Sequence, residues 1–309
     1  MKKYLCVVMA AMVIFAAATK AFAVVYGQAG YENYGYDEES AWEIPTAAVL
    51  AKVRDDVNSG NKWVKGGYFK LTKDIDLTNY TDWEAIGSNV GSFYTRAQFF
   101  TGHFDGNGHT IKIKISKVQL TDPNLGESYC ALFGVVTGEG TIKNLNVEGT
   151  VNFSSRTHTQ RHFVGGIVAY LCGGSIENCK FDGSVKTSQL YDGLPKVYVG
   201  GIVGYAGGYG GFFMSTAPSY HSIIKNCKVG SKSATTITAN ARQVIGSYVY
   251  AGGITAFFDD SQSRSIISDN WVKATINAGA DGNTGLIFAG RSSFKGKVSD
   301  NTEVDSKEE

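Results

Sequence analysis

The segment "FTGHFDGNGHTI", Phe100 to Ile111, places an Asp, an Asn, two His and three Gly within twelve residues. Hard cations take oxygen ligands, so Asp105, Asn107 and neighbouring carbonyls could hold one, but the six or so donors and the distal bidentate Glu of a calcium loop are missing. A phosphate loop would need a helix start to aim N–H groups at the anion, and a strand-like stretch follows instead. The preferred reading is a tight turn. Gly106 and Gly108 would take backbone angles that other residues avoid, while Asp105 and Asn107 bond their own backbone. No metal site and no cofactor are expected.

Two other clusters could do chemistry. "HTQRH", His158 to His162, holds two imidazoles and an Arg. On a helix that spacing could bind a metal, but here strand and loop surround it, so a solvated loop is the better reading. Asp182, Asp192, Asp259 and Asp260 could serve a polysaccharide lyase or hydrolase, yet nothing in their spacing sets an acid and base apart. Aromatic residues form a further surplus: "VVYGQAGYENYGYDEESAW" (24–42) carries four Tyr and a Trp, and Tyr209, Phe212, Phe213 and Tyr220 crowd a second stretch. Flat amphipathic rings suit stacking on sugars or packing into a partner, and those four residues are the candidate binding set.

The elements that must carry these residues repeat. "CALFGVV" (130–136), "GGIVAY" (165–170), "GGIVGY" (200–205), "GGITAF" (252–257) and "TGLIFAG" (284–290) are five versions of one strand. Each is followed by a second element: "TIKNLNVEGTV" (141–151), "SIENCKFDGSV" (175–185), "IIKNCKVGS" (223–231), "IISDNWVKATI" (266–276) and a frayed "KVSDNTEV" (297–304). Equivalent positions at 131, 166, 201, 253 and 285 define a unit of 32 to 35 residues with one long step, explained by an inserted loop at 206–221. Within the second element Ile142, Leu145 and Val147 recur as Ile176, Cys179 and Phe181, then as Ile224, Cys227 and Val229, and these point one way while charged residues point the other. One unit cannot bury its apolar side alone, so successive coils pair edge to edge as parallel strands around a common interior. The expected fold is all-β, a right-handed parallel β-helix of about five coils. Asn144, Asn178 and Asn226, with Asp269, would then stack at a turn and hydrogen-bond along the pile. Cys179 falls over Cys227 at a spacing that a disulfide accepts; this pair is a candidate disulfide, with two buried thiols the preferred alternative.

Before the repeats, "IPTAAVLAKVRDDVNSG" (44–60) spaces Ala47, Leu50, Ala51, Arg54 and Val57 as one face of a helix, which would cover the first coil. The first 23 residues have the basic start, apolar run and Ala21-Phe22-Ala23 ending of an export signal. Its removal takes Lys2, Lys3 and Lys20, leaving 26 Lys plus Arg against 28 Asp plus Glu. No basic footprint for nucleic acid remains, and no integral membrane segment is expected after cleavage. The organisation expected is a signal peptide (1–23), a Tyr-rich segment (24–43), a capping helix (44–60) and one β-helix domain (61–309).

"VNSGNKWVKGGYFKLTKDIDLTNYTDWEAIGS", then "FTGHFDGNGHTI", "ALFG", "IKNL", "GGIV" and "IENC" together resemble the GLUG-repeat β-helix proteins, from about Val57 to Asn270. The resemblance implies a bacterial exported or surface protein, some relatives of which carry these repeats beside an IgA-protease-type zinc peptidase. That peptidase would need a helical H-E-x-x-H, and no His in this chain is followed by Glu. The expected function is therefore a secreted or cell-surface, adhesin-like, non-enzymatic module binding a glycan or an extracellular protein, with a carbohydrate-active lyase or hydrolase as the alternative.

Overall fold

Strand-forming alternation, Gly-marked corners and few prolines leave the chain one economical way to bury its apolar residues, which is to lay each repeat against the one before. The computed structural model describes residues 24–304 except 62–63, 65, 81–82, 89–97, 117–118, 121–126, 156–160, 191–195, 208–220, 241–247, 260–264, 280–281 and 292–296. Residues 1–23, expected to form an export signal, His158, Asp192, Asp260, most of the 206–221 insertion and the candidate binding set Tyr209, Phe212, Phe213 and Tyr220 lie outside the described residues.

The fold is all-β, built from parallel sheets. One circuit shows the plan: Thr141–Lys143 lies in sheet 1, Asn146–Ser155 in sheet 2, Arg161–Gly165 in sheet 3 and Val168–Cys172 in sheet 4, after which Gly174–Glu177 returns to sheet 1 beside Thr141–Lys143. Among the described residues sheets 1 and 2 have 8 strands each, sheet 3 has 6 and sheet 4 has 5. Among the described residues every strand pairing is parallel except that of Gln119–Leu120 with Glu127–Cys130. The five strands of sheet 4 are the "ALFG/GGIV" repeats. Sheet 1 begins three strands earlier, with Trp42–Ile44, Tyr68–Leu71 and His103–Asp105.

Corner chemistry explains why the repeats look as they do. Between sheets 3 and 4 the chain turns so sharply that a Cβ on Gly165, Gly200, Gly252 or Gly285 would lie 1.9, 1.8, 1.8 or 2.1 Å from the carbonyl oxygen three residues on. The following Ile167, Ile202, Ile254 and Ile287 drop into the core. In the first circuit the registers Val164↔Cys130 and Val168↔Phe133 leave one residue fewer at this corner, and Ala131-Leu132 replaces the Gly-Gly-Ile run.

The helix α1 spans Ala47–Asn58, with Thr46 as its N-cap accepting the Val49 N–H. It buries Leu50, Val53 and Val57 in the same core as Ile44, Phe69 and Trp83. Val53 takes the place expected of Arg54, whose guanidinium instead stacks 4.7 Å over the Trp83 ring. Only part of the Tyr-rich segment is a surplus of surface rings: Tyr36 is exposed, but Trp42–Ile44 is a strand, and Tyr26 and Trp42 are buried, meeting edge to face at 5.2 Å. Burial and the neighbouring Asp56 carboxylate push the Tyr26 phenol far above its usual range.

Cys179 and Cys227 lie on neighbouring circuits, buried, as free thiols. Each contacts carbonyls of its own and the preceding turn: the Cys179 Sγ is 3.3 Å from the Glu177 O and 3.6 Å from the Ile142 O, and the Cys227 Sγ is 3.4 Å from the Lys225 O and 3.6 Å from the Ile176 O. Cys130 and Cys172 are likewise free and buried, and burial pushes the Cys130 thiol up to about 12. Thiolates are the reactive form. A residue 24–309 protein should therefore resist alkylation when native and take four labels once unfolded without reductant; two labels, with 179 and 227 missing, would show a bridge.

Candidate functional site

The "FDGNGHT" segment closes on itself and on the next circuit. Asp105 Oδ1 accepts the Asn107 N–H (2.7 Å) and the Asn144 side-chain amide (3.0 Å), and the Asn107 amide reaches the Leu71 carbonyl (3.2 Å). The Gly106 and Gly108 N–H groups donate to Lys143 and Asn144 carbonyls, both at 2.8 Å. Gly108 has φ 80° and Asn107 φ 50°, but Gly106 does not have a left-handed backbone. Gly106 is required for another reason: a Cβ there would sit 2.5 Å from the Leu145 Cα. His103 stacks on Tyr68 at 4.2 Å and His109 meets Asp74 at 3.1 Å, so the two imidazoles serve different partners. Among the described residues no group of three His, Cys, Asp or Glu side chains converges to hold a metal ion.

The asparagine stack runs on from this turn. Asn144, Asn178 and Asn226 all have positive φ (54°, 55° and 52°), a conformation Asn tolerates. The Asn178 amide donates to the Asn144 side chain at 3.2 Å, and the Asn226 amide to Asn178 at 2.5 Å. Asp269 shares the backbone angle (φ 58°) but accepts from Ser268 instead. One position inward, the buried run Leu145, Cys179, Cys227 changes to Asn270, which bonds the Cys227 N–H, the Ile224 carbonyl and Asn301. These residues hold corners together: Asn178, Asn226 and Asp269 are exposed, but these hydrogen bonds stay within the same turn or go to neighbouring turns.

Two of the candidate carboxylates, Asp182 and Asp259, are also committed. Asp182 is buried and accepts the Ser231 hydroxyl and the Lys232 and Ser233 N–H groups, fastening a turn. Asp259 accepts the Tyr205 hydroxyl at 2.8 Å. Arg161 and His162 are not in a solvated loop: both lie in the strand Arg161–Gly165, where Arg161 pairs with Glu127 at 2.9 Å and His162 points inward. Glu127, 2% exposed, also takes the Tyr129 hydroxyl at 2.7 Å.

What the fold does bring together is a ladder of rings on the outside of sheets 3 and 4. In the strand Lys196–Gly200, Val197 and Val199 face the main core, so Tyr198 faces away. Tyr129, Phe163, Tyr198 and Tyr250 occupy one row, paired strand to strand, with centroids 5.3, 5.4 and 5.5 Å apart and planes within 16° of parallel. Tyr170, Tyr205 and Phe257 form the facing row on sheet 4, and Tyr198 meets Tyr205 edge to face at 5.0 Å. The Gly corners fold the two sheets toward each other, so the outward rings make a second small core with Ala169 and Ala256. Burial first, then the nearby Asp259 carboxylate, holds the Tyr205 phenol far above its usual range.

The ladder stops at the fourth circuit. The next strands put Asn283 beside Tyr250 and Gly290 beside Phe257, so the stack ends on two rings leaning over a glycine. There Tyr248 is 51% exposed, with the Lys196 ammonium 5.4 Å from its ring centroid. Sequence alignment of the repeats shows Tyr170, Tyr205 and Phe257 in register, a signal from which this row could have been found. Phe163, Tyr198 and Tyr250 likewise each stand two residues before a Gly-Gly pair, and only the corner angle shows that the two rows face each other.

No protein-family model matches the chain. Over 151 residues it is 33% identical to a candidate Gly-rich membrane protein of Evansella cellulosilytica, covering 47% of this chain and 15% of that protein. Over 168 residues it is 26% identical to Halomucin of Haloquadratum walsbyi, covering 54% of this chain and 2% of that protein. The chain thus corresponds to a small part of each relative's length. The crystal structure of a candidate immunoglobulin A1 protease from Bacteroides ovatus superposes with a TM-score of 0.58 and 23% identity, covering 88% of this chain and 69% of that one. That likeness is one of fold. No helix among the described residues is long and apolar enough to cross a membrane.

Proposed function

We propose that this chain is an exported, non-enzymatic binding module of GLUG-repeat type, a right-handed parallel β-helix whose outer aromatic ladder presents a contact face to a glycan or an extracellular protein. The observation that carries this reading is the end of the ladder, where Tyr248 is exposed beside Lys196 and the Tyr250 and Phe257 rings are only partly buried. Rings already stacked on one another lose little freedom on binding, so the next flat apolar group can extend the pile. The fixed return of the chain through four parallel sheets supports the β-helix, and the names of the partial relatives fit a surface setting.

Glycoside-cleaving enzymes use carboxylates roughly 5–10 Å apart. Glu127 and Asp259 stand three circuits apart, at least ~14 Å by strand spacing, and each is bound to a tyrosine hydroxyl. The ladder therefore suits holding a ligand better than cutting one. A near-neutral surface leaves nucleic acid out of the reading.

The test is a glycan and extracellular-matrix protein array with residues 24–309, its Tyr248→Ala/Tyr250→Ala variant and a version lacking 207–220, with reducing-sugar release assayed on the same glycans. Loss of about tenfold in affinity with the ring variant is expected. Release of sugar by the intact protein would overturn the non-enzymatic reading, and full retention of binding by the ring variant would move the contact elsewhere.

A further inference from the structure

A second aromatic site lies at the opposite end of the molecule. Residues 30–42 form a tightly tied loop: the Gly35 N–H donates to the Ser40 carbonyl (2.6 Å), Asp37 accepts both the N–H and the hydroxyl of Ser40, and the Gly35 carbonyl accepts the Tyr68 N–H (3.0 Å). Trp42 anchors the loop, its indole N–H donating to the Tyr31 carbonyl at 2.7 Å. Two glycines let the backbone press against that ring: a Cβ on Gly35 would be 2.5 Å, and on Gly67 2.3 Å, from indole carbons. Beside it opens a cleft of about 580 Å3 lined by Tyr31, Glu32, Tyr36 and Trp42, with glycine backbone between them. That volume falls within the roughly 300–1,000 Å3 of small-ligand sites.

Tyr36 is the most exposed large aromatic residue among those described, at 64%. Its hydroxyl is pinned to the Glu32 carbonyl at 2.6 Å. That bond holds the exposed ring at the cleft wall, so part of its rotational freedom is already spent before any ligand arrives. Among the described residues the cleft sets two acceptors, the Glu32 carboxylate and the Tyr36 oxygen that has already donated its proton, beside the Tyr31 hydroxyl. The indole N–H, which a peptide carbonyl would seek, is committed to Tyr31. A ligand for this cleft must bring apolar faces for the rings and donors for the acceptors, and must not bring negative charge beside Glu32.

We infer that this cleft binds a neutral pyranose, one face stacked on Tyr36 and adjacent hydroxyls donating to the Glu32 carboxylate. The site is separate from the ladder and does not depend on it. The ligand is a sugar and not a Pro-rich peptide, because the cleft offers acceptors where such a peptide presents carbonyls.

The test uses the intact residue 24–309 protein with maltotriose, cellotriose and mannotriose as probes, read by saturation-transfer NMR and by Trp fluorescence, with decaproline as the peptide control. At least one trisaccharide should bind. Tyr36→Ala should weaken it about tenfold, Glu32→Gln severalfold, and Tyr248→Ala/Tyr250→Ala should leave it unchanged. Thermal unfolding of each variant checks the fold, with Tyr36→Leu, which keeps apolar bulk but no flat ring, as the replacement if Tyr36→Ala is unstable. Binding that survives loss of the Tyr36 ring, no binding of any of the three sugars, or decaproline bound in their place would each overturn the assignment. Failure here leaves the ladder reading standing, since that is scored by the Tyr248 and Tyr250 variant.

Discussion

Gly200→Ala is expected to destabilise the protein by about 3 kcal/mol or more, among the largest effects any single methyl can have here. The new Cβ would fall 1.8 Å from the Val203 carbonyl oxygen, and the oxygen cannot step aside because it belongs to the corner that links sheets 3 and 4. The adjacent circuit blocks the other direction, with the Ala256 backbone N 3.2 Å away. Gly108→Ala is the control. Gly108 has φ 80° but nothing within 4 Å of its added Cβ, so the expected cost is only the left-handed penalty of about 1–2 kcal/mol. Urea unfolding of both variants separates the two causes. A cost for Gly200→Ala no larger than that for Gly108→Ala would mean that the closeness of the corner is not why glycine recurs there.

Acid sensitivity is the second large effect. His162 is 2% exposed, points into the core and lines up with Val197 and Val249 on the following circuits, with the Phe153 ring 4.9 Å away. Burial disfavours the charged imidazole and lowers its pKa from 6.5 to about 4. The unfolded chain therefore binds a proton between these values that the native chain refuses, so stability rises with pH across that window. On acidification the contribution starts to be lost below 6.5 and is fully lost below about 4, a total of about 3 kcal/mol. His162→Val, which supplies the residue used by the next two circuits, should flatten this acid limb while changing stability at pH 7 by no more than about 1 kcal/mol. Urea denaturation at pH 4.5 and 7 measures it; an unchanged difference between the two pH values would remove His162 as the cause.

These two residues also show how far the chain could be read from its letters. The recurrence of Ile142, Ile176, Ile224 and Ile267 is legible because a strand shows its inward residues every second position, and stacking demands the same inward residue in each circuit. The positive-φ asparagines are legible for a similar reason: few residue types tolerate that angle, so the same letter returns at the same place. What was not legible depends on angles between elements. Arg161 and His162 are adjacent in a polar run that reads as a loop, yet one pairs with Glu127 outside and the other is buried, because the strand there alternates faces. The strand Trp42–Ile44 hides in a Tyr- and Gly-rich stretch without period, since three residues are too few to show one.

The amino-acid sequence by itself determined the repeat unit, its inward apolar set and the corner glycines and asparagines, because each is imposed locally by backbone angle or by the need to bury one face. Only the tertiary structure decided which side chains meet. The sharp turn between sheets 3 and 4 folds two outward rows of rings onto each other. The loop around Trp42 leaves Tyr36 exposed and ties its hydroxyl to the Glu32 carbonyl. The ladder joins residues from 129 to 257, placed by strand spacing and corner angle, and the cleft forms only where the 31–42 loop meets Gly66 and Gly67, quantities and contacts that no local pattern of residues contains.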